Sequence, residues 1–133
     1  MTVHTIFLIG GEEDESARFV EDAEGDRCAL NCEYRGRTVT ESANDFFEAL
    51  CKIRLVLERE GLIPFCYGSS LNVYPSGMAR SMALGKAAYR MQSGRHVYGE
   101  DLVNIFAAGP DIVPATVARQ REFFVDWVSS RRT

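Results

Sequence analysis

The chain has 133 residues, of which 46% are hydrophobic and 26% charged, and it carries a net charge of −4. That length fits one domain burying roughly two thirds of its unfolded surface, so no disulfide or metal staple is required. The composition excludes a disordered chain, and no apolar run approaches the ~20 residues of a membrane span. Residues 1–60 hold 14 acids and 7 bases, whereas residues 61–133 hold 5 acids and 8 bases. The bases form no dense patch, which disfavours nucleic-acid binding.

Thr2 to Ile9 is apolar and rich in β-branched residues, which predicts a buried, central strand ended by Gly10-Gly11. Its apolar run Ile6–Ile9 lacks a basic leader and precedes four acids, unlike a secretory signal, so a cytoplasmic location is expected. Strands are predicted over Ser16–Glu21, Asp26–Tyr34 and Arg37–Thr40, joined by turn residues 22–25 and 34–36 as a meander. Cys28, Leu30, Cys32 and Tyr34 alternate with polar neighbours, so the sheet is covered on one face. Within Glu12 to Asp26, eight acids stand against the single Arg18. They either solvate the loops around one strand or steer a basic partner.

Of the four cysteines, Cys28 and Cys32 lie on one strand about 13 Å apart, too far for a disulfide. With no Cys-x-x-Cys pair and only two histidines, His4 and His96, buried reduced thiols are expected, without a metal site or cofactor. His4 fits a packed or edge strand position, and His96 lies in a hydrophilic link.

From Ala43 to Glu60, Phe46, Phe47, Leu50, Ile53 and Leu57 recur at three and four, which predicts a helix. Ser42 or Asn44 is its expected cap, and Gly61 its left-handed stop. Ile63–Tyr67 predicts a short strand and Leu71–Tyr74 an extended segment. Ser76 caps a second helix predicted to reach about Met91, ended by Ser93-Gly94, with Ala79, Ala83 and Ala87 as a close-approach face. Leu102–Phe106 predicts a strand and Gly109-Pro110-Asp111 a turn. A last helix starts at Pro114 or Thr116, with Val117, Phe124, Trp127 and Val128 inward and Arg131 and Arg132 at its negative end. The sum is an α+β single domain spanning 1–133: a mixed, mostly antiparallel sheet with an N-terminal meander, packed by about three helices.

The best site candidate is the strand-to-helix run from Pro64 to Met82, because polar loops on rigid elements commonly carry contacts. Gly68 permits unusual backbone geometry, while Ser69, Ser70, Asn72 and Tyr74 offer donors and acceptors. Ser76 and Gly77 open a helix, with Arg80 or Lys86 able to add charge-assisted bonds to an anion. The same residues serve equally as turn and cap residues. No phosphate-loop, dinucleotide or nucleophile-elbow pattern is present, since Gly85-Lys86-Ala87 lacks the required hydroxyl residue. A hydrolytic triad from Ser69 or Ser70 with His96 and Asp101 and a reactive Cys66 are each better read as structural, while Glu100-Asp101 fits a loop or strand cap as well as an acid/base pair.

The run Tyr67-Gly68-Ser69-Ser70-Leu71-Asn72-Val73-Tyr74-Pro75-Ser76-Gly77-Met78, with Asp101–Phe106 and Val113–Val117, resembles a group of small bacterial proteins. The likeness spans about Asn44 to Val128, leaves the acidic first forty residues outside, and implies no activity. As a small acidic α+β chain it is also similar in type to immunity proteins of bacterial toxin systems, which implies a toxin as protein partner.

Two functions follow as expectations. The first is a non-enzymatic interaction protein, possible as a homo-oligomer through the sheet edge or the last helix, using the acidic 12–26 edge or the 68–80 loop. The second is a binder of, or enzyme on, an anionic metabolite, recognised by Ser69, Ser70, Asn72, Ser76 and Arg80.

Overall fold

A computed structural model describes residues 2–92 and 94–130, without the side chain of Glu24. The contributions expected of Ser93, Arg131 and Arg132 lie outside these residues. Strands β1 (Thr2–Ile9), β2 (Glu15–Glu24), β3 (Arg27–Tyr34) and β4 (Arg37–Ala43) form the meander. The two-residue strand β5 (Ile63–Pro64) completes a five-stranded antiparallel sheet in the order β4-β3-β2-β1-β5. The fold is α+β with an N-terminal meander, and its antiparallel strands fall into two sheets. The strands of the second are β6 (Val73–Tyr74), β7 (Ala87–Arg90) and β8 (Leu102–Asn104).

Strand alternation explains one difference from the sequence reading. Ile6 and Leu8 enter the core, but Val3 and Phe7 point to the other face and are 42% and 44% exposed. The first strand is therefore internal in order and covered on one side only. Against the inner face lies helix α1 (Phe46–Glu58), burying Phe46, Phe47, Ala49, Leu50, Ile53 and Leu57 among Phe19, Leu30 and Cys32. A fully buried Leu, Ile or Phe contributes roughly 1.5–3 kcal/mol relative to exposure, so this contact dominates the fold.

Asp45, and neither Ser42 nor Asn44, caps α1: its carboxylate accepts from the Glu48 N–H at 2.8 Å. Gly61 ends the helix with φ of +74°, letting the Leu62 N–H return to the Leu57 carbonyl at 3.0 Å. Helix α2 (Gly77–Met82) is only six residues long, and the helix expected to reach Met91 stops there. Leu84 and Gly85 both take positive φ, 54° and 71°, and this reversal sends Ala87–Arg90 into the second sheet between β6 and β8. Helix α3 (Val117–Ser130) follows Thr116, whose hydroxyl accepts from the Arg119 N–H at 3.2 Å, while Pro114 bridges Ser70.

The two sheets are joined by polar contacts as well as packing. Glu21 of β2, almost wholly buried, accepts from Lys86 at 3.2 Å and meets His4 at 2.6 Å, and the His4 ring stacks on Phe106 at 4.3 Å. No helix among the described residues is long and apolar enough to cross a membrane.

Candidate functional site

The loop singled out by sequence divides into two halves with different surroundings. Gly68, Ser69 and Ser70 form a buried 3₁₀ turn and its cap. Ser70 donates its hydroxyl to Asn72 Oδ1 at 2.9 Å and accepts from the Val113 N–H at 2.9 Å. A Cβ on Gly68 would stand 2.5 Å from Leu50 Cδ2, so only glycine lets the turn approach α1 this closely.

What holds the turn is a buried pair the sequence reading did not single out. Arg54 of α1 donates to the carbonyls of Gly68 (2.9 Å) and Ala115 (3.0 Å) and to Gln120 Oε1 (2.6 Å). Gln120 of α3 turns its amide nitrogen toward the carbonyls of Gly68, Ser70 and Val73, each at 2.9 Å. Buried carbonyls that face away from a strand partner need such donors, and one planar fork with one amide supplies them. A signal existed in the spacing. Arg54 lies four residues after Leu50, and Gln120 three after Val117, so both occupy core positions of their stripes.

The outer half faces solvent. Tyr74 is its hub: its ring stacks on Phe124 at 4.1 Å, meets Phe47 edge-on at 5.0 Å, and lies 5.6 Å from the Arg80 guanidinium. On one side of Tyr74 is an apolar cleft of about 270 Å³, lined by Ser76, Gly77, Tyr89, Met91, Val97 and Trp127 among others. On the other is a cleft of about 210 Å³ between α1 and α3, reached by Cys51, Arg80 and Arg121. Arg80 is tied to Asp45 at 3.0 Å, and Ser76 caps α2 through the Ala79 N–H at 3.1 Å. Asn72 reaches inward to the Met91 carbonyl at 3.4 Å. Thus Tyr74, Ser76, Gly77 and Arg80 share an accessible face, whereas Gly68, Ser69 and Ser70 lie behind it.

Beside that face, α2 exposes Met78 at 70% and Met82 at 79%, followed by Leu84 at 44%. The sequence places both methionines within the second helix and gives neither a partner. They lie four residues apart, on one face of α2, and that face meets no other element closely enough to be covered.

The acidic segment does not act as one surface, because Glu15 and Glu21 are engaged by basic side chains of neighbouring elements. Glu15 takes a two-pronged bond from Arg35, at 2.7 and 2.8 Å, and the Arg35 contact holds its carboxyl below the usual range. Glu21 is drawn into the sheet junction, while Glu12, Glu13, Asp14 and Asp26 remain exposed. Glu60 receives the Tyr34 hydroxyl and Arg37, which hold it low in that order of importance.

Burial pushes the Cys66 thiol up, and the Cys32 thiol up to about 12, against activation of either as a nucleophile. All four cysteines are free thiols, and no group of three or more metal-ligating side chains occurs among the described residues. Asp101 accepts from the Tyr98 N–H at 2.9 Å, a capping role.

No family model matches the chain, and no curated protein matches it.

Proposed function

We propose that this chain is a non-enzymatic interaction protein of the immunity type, cytoplasmic, which binds a protein partner such as a toxin through the α2 face. The observation that carries this reading is the pair of exposed methionines on a short helix, beside the aromatic cleft around Tyr74. Flexible, polarizable methionine side chains suit a surface that must fit another protein, and aromatic residues supply buried contact area at modest entropic cost. The exposed acids Glu12, Glu13 and Asp14 fit the same reading by steering a basic partner faster at low salt.

The anionic-metabolite reading has less support. Ser69 and Ser70 are buried and the Arg80 charge is met by Asp45, so the loop offers few unengaged donors.

The test compares wild type with a Met78→Glu/Met82→Glu variant. Wild type is expected to retain one stoichiometric host protein, and, where that protein is a toxin, to protect cells on co-expression. The variant is expected to lose both properties at an unchanged melting temperature. Equal retention by the two proteins would defeat the assignment of this face.

A further inference from the structure

Strand β4 lies at the end of the five-stranded sheet and pairs with β3 on one side only. The β3–β4 hairpin turns through Arg35 and Gly36, both at positive φ (51° and 71°), the two-residue geometry that makes Tyr34 and Arg37 a hydrogen-bonded pair. Alternation then sends the backbone N–H and C=O groups of Thr38, Thr40 and Ser42 outward. Ser42 agrees with this parity: its carbonyl accepts from Lys52 at 2.9 Å and from Arg27 at 3.2 Å. The outward edge at Thr38 and Thr40 is exposed and meets no strand among the described residues.

We propose that a second copy of this chain pairs with this edge, antiparallel and two-fold symmetric, with Val39 opposite Val39, Thr38 opposite Thr40, and Arg37 opposite Glu41. The parity of the edge allows the two-fold to fall at Thr38, Val39 or Thr40. Centring on Thr40 would call on Ser42, whose carbonyl is already engaged, and would set Val39 against Glu41. Centring on Thr38 would set Arg37 against Val39. Only the Val39 centre uses the two available residues and places opposite charges face to face, twice by symmetry.

The side chains agree. Glu41 is half-buried on the face that carries α1, and Arg37 is exposed there, with one guanidinium nitrogen engaged by Glu60 and donors remaining on its fork. Val39 is half-buried against the core and would be covered by its symmetry mate. Leu55, 49% exposed, and Val56 lie one turn beyond Lys52 on α1, extending the apolar flank over the same edge. Exposed edges are commonly protected by proline or by charges that repel a copy. This strand has no proline, and its two charges are self-complementary. The proposal stands apart from the α2 face and survives its failure.

Sedimentation velocity over a concentration series reads the outcome. Wild type is expected to show a monomer–dimer equilibrium, weakened about tenfold or more by Glu41→Arg or by Arg37→Glu, since each sets like charges opposite one another. An equimolar mixture of the two variants restores both opposite-charge contacts and is expected to recover the dimer as a heterodimer. A wild type that stays monomeric to millimolar concentration, or a dimer unaffected by Glu41→Arg, would overturn the proposal. So would a mixture of folded variants that fails to associate. Should Arg37→Glu unfold through loss of Glu60, amide exchange of wild type decides: protection at Thr38 and Thr40 rising with concentration supports the pairing, and concentration-independent exchange overturns it.

Discussion

Arg54 and Gln120, 66 positions apart in the chain, meet at 2.6 Å in the interior and together hold the turn at Gly68–Ser70 against both long helices. Neither partner is dispensable, because each satisfies backbone carbonyls that no ladder reaches. The Arg54 Nε is itself buried without a hydrogen-bond partner among the described residues, so the pair is held for its geometry at some electrostatic cost.

Gln120→Leu should therefore behave as a core defect although it adds apolar surface. It leaves the carbonyls of Gly68, Ser70 and Val73 without the amide and removes an acceptor from Arg54. The Gly68 carbonyl keeps Arg54 and the Ser70 carbonyl keeps the Val73 N–H, so the Val73 carbonyl is the group left unmet, and a loss of about 1–3 kcal/mol is expected in urea unfolding. Gln120→Glu offers Arg54 a carboxylate but removes the amide donor, so it should recover only part of that loss. A Leu variant as stable as wild type would show that the Val73 carbonyl finds another donor.

The meander, α1 and α3 were legible because their apolar spacing is long and regular. Three features were not, each for a physical reason. Thr2 to Ile9 reads as a buried strand because its own run is apolar on both faces, although the alternation of the third strand already implies a sheet covered on one side, which leaves Val3 and Phe7 exposed. The stretch from Ser76 to Met91 reads as one helix by its alanines and methionines, but the Leu84–Gly85 reversal is a backbone event that composition does not announce. Ser69 and Ser70 read as site residues because small polar groups look alike whether they face a ligand or, as here, the Cys66 thiol, Asn72 and the Val113 N–H. Tyr74, Ser76, Gly77 and Arg80 of the same loop lie on an accessible face, and Met78 and Met82 beside them are exposed because α2 stops after six residues.

Leu84 holds φ of 54°, a left-handed conformation that costs a branched residue about 1–2 kcal/mol. Its side chain is 44% exposed, while its carbonyl accepts from the Phe46 N–H at 2.8 Å, a bond any residue would keep. Leu84→Gly is thus expected to raise stability by up to about 1 kcal/mol, read from the urea midpoint at constant slope. Gly85→Ala should do the opposite, since its Cβ would stand 2.6 Å from Asp45 Oδ1 and press on the cap of α1. A neutral Gly85→Ala would mean that the cap yields freely.

Thiol labelling separates the four cysteines. Burial raises all of them, but Cys51 is half-buried and lines the cleft beside Arg80, whereas Cys28, Cys32 and Cys66 are enclosed. With iodoacetamide at mildly alkaline pH, mass spectrometry should find Cys51 modified first and Cys32 and Cys66 only on unfolding. Labelling of Cys66 as fast as Cys51 would contradict the enclosure of the Gly68 turn.

Acid should weaken the fold through a small set of carboxylates. Glu60 is held below its ordinary 4.5 by the Tyr34 hydroxyl first and by Arg37 next, and Glu15 is held low by Arg35. Asp111 is held below 3.8, chiefly by the Tyr67 hydroxyl at 2.6 Å. Each group binds a proton more readily unfolded than folded, so its contribution is complete above the ordinary value and disappears as pH falls through the lower folded one. The melting temperature should be nearly level between about pH 5 and pH 8 and should fall on acidification below about pH 4.5. Glu60→Gln should lower the plateau slightly and make the acid limb shallower, and salt should shrink the difference because these groups are accessible to solvent. An acid limb as steep in Glu60→Gln as in wild type would place the proton-linked stability elsewhere.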